Sequence, residues 1–149
     1  MRRGLEGSTV FDAGVLIELL SQTPSGVWVR DRLLEGRLIA YTTELAIAET
    51  KYVLCRRIGW DAATRAIDLL LASRYITIEP ITLLIDYAAQ YKCKYPIALP
   101  DCFTLALAKR LESPALFARK ERELAHLVKQ KALDVEILFL ETLVPVQKP

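Results

Sequence analysis

Short apolar runs of β-forming residues alternate along this chain with segments whose apolar residues recur every three or four positions. Thr9-Val10-Phe11 is the first such run, closed by Asp12 and then Ala13-Gly14, which predicts a buried strand with Asp12 at its C-terminal end. Val15, Leu16, Leu19 and Leu20 continue at helical spacing until residues 21–25 interrupt them. A second amphipathic helix is predicted from about residue 25 through Val27, Trp28, Leu33 and Leu34, stopping at Gly36. Leu38-Ile39-Ala40-Tyr41 reads as the second strand, after which Thr42 and Thr43 offer a cap for a helix over about 44–57. Gly59 ends that helix, and Asp61 is expected to cap the next one, through Ala62, Ala66, Ile67, Leu69 and Leu70. Tyr75-Ile76-Thr77-Ile78 is the third strand, followed by a helix over about 81–92 and a loop at Cys93-Lys94-Tyr95-Pro96. Pro100 and Asp101 then open an apolar helix, because a proline is tolerated where the first N–H groups lack partners and an acid suits the positive helix end. Ser113-Pro114 marks a turn, Ala115-Leu116-Phe117-Ala118 a fourth strand, and the charged run Arg119-Lys120-Glu121-Arg122-Glu123 begins a short helix. Val135-Glu136-Ile137-Leu138-Phe139-Leu140 is the last strand candidate, with a tail through Val144-Pro145-Val146.

Strands alternating with amphipathic helices imply an α/β fold, a mostly parallel sheet of four to five strands with helices on both faces. Ligands of such sheets bind beyond the C-terminal strand ends, where Asp12 is expected. A length of 149 residues suits a single domain over 1–149, with its core at about 8–140 and short terminal tails. The hydrophobic fraction of 52% argues for a compact fold and against disorder, and the net charge of +2 is too mild to point to nucleic acid by itself. No apolar run approaches the roughly 20 residues that span a bilayer. The basic start of the chain is not followed by a signal-peptide core. Cys55, Cys93 and Cys102 form no close pair and no metal-site spacing, so all are expected as reduced core or half-buried thiols, in keeping with a cytoplasmic protein.

Three acids stand out against this pattern. Asp101 shares a helix face with Leu105 and Ala108, which puts its carboxylate at the rim of the core. Glu49 shares a face with Leu45, Tyr52 and Val53, an apolar stripe, while Glu44, Lys51 and Arg57 take the solvated side. Asp12 closes a buried strand. Each has an ordinary alternative: Asp12 as a helix cap, Glu49 in an ion pair with Arg56, Asp101 at its own helix terminus. If the three converge at one sheet edge, they repel and raise one another's pKa values, and a hard divalent cation removes the conflict. Such a site activates water for in-line displacement at a phosphoryl group. His126, the single histidine, sits among charges without a motif, so a Ser or Cys nucleophile lacks its base. A P-loop and a GxGxxG motif are absent.

Taken together in order, Val10-Phe11-Asp12 with Leu16-Ile17, Thr43-Glu44-Leu45-Ala46-Ile47-Ala48-Glu49, and Leu99-Pro100-Asp101 resemble the PIN domain family, specifically VapC-like ribonucleases, over nearly the whole chain from Thr9 to Leu140. The resemblance implies a three-layer α/β/α fold and an endoribonuclease dependent on Mg²⁺ or Mn²⁺, often the toxin of a toxin–antitoxin pair. It assigns catalysis and metal ligation to Asp12, Glu49 and Asp101. Two departures stand out. Family members commonly carry Thr, Ser or Asn after the first Asp, where this chain has Ala13. They also usually carry Thr-x-Asp after the fourth strand, where this chain has Ala118-Arg119-Lys120. Glu121, one residue on, either supplies that fourth acid with its longer side chain or is a surface helix start, with Arg119 and Lys120 in the acid's place.

Lys92, Lys94, Arg119 and Lys120 flank the proposed site and are candidates for holding RNA phosphates, or else a solvated face. Trp28, Trp60 and Tyr95 are base-stacking candidates against the commoner core or interface role. By family analogy the partners are an RNA substrate, an antitoxin protein and a second copy of the chain, paired through Leu33, Leu34 and Ile67. The alternative function is a catalytically weakened PIN-like module that binds RNA or protein. A phosphoryl-transfer site of the Asp-x-Asp type fits poorly, since Gly14 takes the second acid's position.

Overall fold

In a computed structural model that describes residues 5–145, five strands form one parallel sheet in the order β3-β2-β1-β4-β5. They are β1 (Gly7–Phe11), β2 (Leu38–Thr43), β3 (Ile76–Glu79), β4 (Ala115–Phe117) and β5 (Ile137–Phe139). Helices α1 (Ala13–Leu20), α2 (Pro24–Leu34), α3 (Glu44–Ile58) and α4 (Trp60–Ser73) join the first three strands. A 3-10 turn (Thr82–Leu84), α5 (Ile85–Lys94) and α6 (Leu99–Leu111) lead to β4, and α7 (Arg122–Lys129) leads to β5, with α8 (Leu140–Leu143) after it. Arg2, Arg3 and the tail from Val146 lie outside the described residues. Among the described residues no helix is long and apolar enough to cross a membrane.

Parallel strands need crossovers, and the helices that supply them bury both sheet faces. Two apolar clusters result, one around Val10, Leu105, Ala115 and Leu124, the other around Phe11, Leu16, Val29 and Leu116. The chain first builds outward from β1 through β2 to β3 and then crosses to the other side of β1 with β4. The topological switch point therefore lies between β1 and β4, beyond whose C-terminal ends ligands of such sheets bind. One close approach shapes this layer: a Cβ on Gly26 would lie 1.9 Å from the Glu18 carbonyl oxygen, so α2 reaches α1 at a distance that only glycine permits.

The three-layer α/β/α fold and the strand number agree with expectation, while several local readings change. Helix α5 runs to Lys94, absorbing half of the expected loop. Gly59, at φ +87°, caps α4, and Asp61 sits in its first turn without a capping role. The buried stripe of α3 is Ala46, Thr50 and Leu54. Glu49 lies on its half-buried flank with Leu45 and Val53, and Tyr52 is exposed. Cys102 is buried and Cys55 half-buried as expected, but Cys93 is exposed near the end of α5. Leu33 and Ile67 point into the core, so of the three residues expected to pair two copies only Leu34, 57% exposed, faces outward.

Candidate active site

The first acid is placed by the central strand. The Asp12 backbone N–H donates to Leu116 O at 3.0 Å, which extends the β1–β4 pairing one residue past β1. Asp12 then turns into α1 as its N-cap, with Oδ2 accepting from the Gly14 N–H at 3.4 Å. Its other oxygen, Oδ1, accepts from the Thr104 hydroxyl at 3.1 Å. The ordinary capping role is thus present, and it occupies one oxygen with a long bond.

On the neighbouring strand, the Thr42 hydroxyl donates to Phe11 O at 2.8 Å, fixing the end of β2 beside the end of β1. Thr43 caps α3, accepting from the Ala46 N–H at 2.9 Å, so the helix begins at once and carries Glu49 in its second turn. The expected partner of Glu49 is elsewhere, because the Arg56 guanidinium lies 5.1 Å from the centre of the Tyr52 ring. Helix α6 starts without a side-chain cap, has Pro100 in its first turn, and buries Asp101 to 7% exposure. Glu121 holds the N-cap position of α7, yet its side chain makes no capping bond. The segment that carries it is pinned from α8: Glu141 donates its N–H to Ala118 O at 3.1 Å and accepts from the Lys120 N–H at 2.7 Å.

The electrostatics tie these four acids together. Burial pushes Asp101 up to about 8, and the charges of Asp12, Glu121 and Glu49, with a hydrogen-bonding contact to Glu121, push the same way. Burial also raises Glu49 to about 7, reinforced by Asp12 and Glu121. Asp12 is raised by burial, against the opposing hydrogen bonds from Gly14 and Thr104. Among the described residues no Lys or Arg forms an ion pair with any of the four. They form a set of hard oxygen donors without a counter-charge, the chemistry that suits Mg²⁺ or Mn²⁺. The set is not closed, however: among the described residues no three His, Cys, Asp or Glu side chains are arranged so that they could hold a metal ion.

The other candidates fall elsewhere. Arg119 and Lys120 are exposed on the segment before Glu121, Arg119 with its guanidinium 4.0 Å from Glu18. Lys94 lines a cleft with Tyr87, Tyr95 and Asp134 that includes none of the four acids. Lys92 is occupied, donating to Ile97 O at 2.8 Å. Trp28 and Trp60 lie under the cations of Arg32 and Lys51, and the Tyr95 hydroxyl donates to Ala132 O. His126 sits in a groove with Pro96 and Arg122, again without the acids. Cys102 offers no thiolate, since burial and Asp101 push its thiol up to about 11. Thr104 escaped the sequence reading. Its signal was a lone hydroxyl in the apolar run of α6, one turn past Asp101.

A PIN domain family model matches residues 9–130. No curated relative matches the chain in sequence. Among solved structures, VapBC2 from Rickettsia felis bound to a promoter DNA fragment is 10% identical, with a TM-score of 0.67 over 89% of this chain and 98% of that one. VapBC-1 from nontypeable Haemophilus influenzae is 18% identical, with a TM-score of 0.63 over 90% and 98%. Mycobacterium tuberculosis VapC20, a sarcin-ricin loop cleaving toxin, is also 18% identical, with a TM-score of 0.62 over 79% and 94%. At these identities the likeness is one of fold, whereas the family match runs from β1 through α7 and takes in all four acids. The chain belongs to the PIN domain family.

Proposed function

We propose that this PIN domain is an endoribonuclease dependent on Mg²⁺ or Mn²⁺ and a VapC-like toxin working in the cytoplasm. The observation that carries this reading is the set of acids at the switch point. Asp12, Glu49 and Asp101 are raised by burial and then by neighbouring carboxylate charge, that of Glu121 included, and among the described residues none of the four has an ion-pair partner. Asp12, Glu49 and Asp101 are the catalytic metal ligands, and Glu121 supplies the fourth acid. An ion held by these carboxylates would supply a water of lowered pKa and offset charge at the scissile phosphate. The exposed cations of Arg119 and Lys120 meet the RNA backbone beside Glu121, and Lys94 meets it farther along. An antitoxin protein is the partner that restrains the site, a reading supported by a toxin–antitoxin complex among the similar folds. A second copy pairs through exposed apolar side chains such as Leu34 and not through Leu33 or Ile67.

The open arrangement of the acids favours a second reading, a weakened domain that binds RNA or protein without cutting. Cleavage of end-labelled single-stranded RNA separates the two. Cutting with Mn²⁺ or Mg²⁺ that is lost in EDTA and in Asp12→Asn is the expected result. Intact RNA under every metal condition, with no thermal stabilisation by Mn²⁺, would select the binding module.

A further inference from the structure

Thr104 makes an unusual choice of hydrogen-bond partner. A buried threonine within a helix ordinarily returns its hydroxyl proton to the carbonyl four residues back. Thr50 does so in α3, donating to Ala46 O at 2.7 Å. Thr104, 1% exposed in α6, instead donates across the layer to Asp12 Oδ1 at the end of β1. It spans 92 positions of sequence and provides the shorter of the two side-chain bonds at this carboxylate. The terminal torsion of an aspartate is broad, so an anchored oxygen decides how the carboxylate is turned. Ala13, beside Asp12, has no hydroxyl to do this locally. One helix therefore carries Asp101 and, one turn later, the group that orients Asp12.

We infer that Thr104 is a positioning residue for the proposed metal centre, its hydroxyl holding Asp12 in the orientation that binds the ion. The inference rests on the nuclease reading. It is tested by titrating the full chain with Mn²⁺ alone, without RNA, and following the heat of binding. Thr104→Val keeps the shape and removes the donor, and its Mn²⁺ affinity is expected to fall about tenfold or more, the usual cost of losing a group that orients a ligand. Thr104→Ser keeps the donor and is expected to stay within about threefold of wild type. Melting without metal checks that each variant is folded, and Thr104→Ala takes the place of Val if Val is not. Wild-type Mn²⁺ affinity in the variant without a hydroxyl would overturn the positioning role, as would a loss in Ser equal to that in Val. Absence of Mn²⁺ binding by the wild type would instead overturn the nuclease reading itself, and Thr104 with it.

Discussion

Asp101→Asn is expected to abolish RNA cleavage while raising the melting temperature of the metal-free protein. The two effects have one cause. Asp101 is nearly enclosed at the start of α6, and burial with three neighbouring acids holds its pKa at about 8. Near neutral pH the folded protein must keep a proton there that the unfolded chain has already released, and this costs stability. Asparagine has nearly the same shape and no charge to bury. Its melting temperature without metal should rise by roughly 5 °C, a gain of about 1–2 kcal/mol for a chain of this size. The same change removes a hard ligand, so cleavage should fall by at least about 10²–10³-fold, the scale of losing one group that stabilises charge in the transition state. Such an exchange of stability for activity is characteristic of functional sites. An active, destabilised Asp101→Asn would mean that this acid is structural.

Metal-free wild type should also lose stability as pH rises from about 4 to about 8, whereas saturating Mn²⁺ should flatten or reverse that slope. The sign follows from linkage. Asp101 and Glu49 are raised from 3.8 to about 8 and from 4.5 to about 7, so within this window the folded state binds more protons than the unfolded state. Stability from these groups is complete below the unfolded values and is lost as pH climbs through the folded ones. Asp134 shifts the other way, held down first by the hydrogen bond from Tyr91 and then by that from Lys109, but its influence falls below about pH 4, its ordinary range. Thermal melts at pH 5 and pH 8 are expected to differ by roughly 5 °C or more without metal. A flat profile would mean that burial and neighbouring charge do not raise Asp101 and Glu49 in the folded chain.

Much of this was legible because the physics was local. Strands such as Thr9-Val10-Phe11 and Leu38-Ile39-Ala40-Tyr41 are short, apolar and bounded by turn or cap residues, and their alternation with helical spacing dictates a parallel sheet. Asp12 and Asp101 declared themselves as acids at the edges of apolar segments. What stayed hidden depends on contacts between distant parts of the chain. The periodicity around Glu49 fits two neighbouring stripes, and only the docking of α3 through Ala46, Thr50 and Leu54 decides between them. Leu33 and Leu34 are adjacent in sequence, yet one is core and the other surface. The Thr104–Asp12 bond joins a helix to a strand 92 positions away, and spacing carries no trace of it. For Glu121 the sequence leaves a fourth acid and a charged helix start both open, and its closeness to Asp101 depends on where β4 delivers it.

Mn²⁺ titration calorimetry of the wild-type chain at pH 7.5, repeated in buffers of different ionisation enthalpy, tests the metal centre most directly. Carboxyls held at about 8 and about 7 keep part of their protons at that pH, and a cation can bind only as they leave. The expected result is binding with net proton release, reduced in Asp101→Asn. Absence of binding, or binding without proton release, would contradict a centre built on these acids.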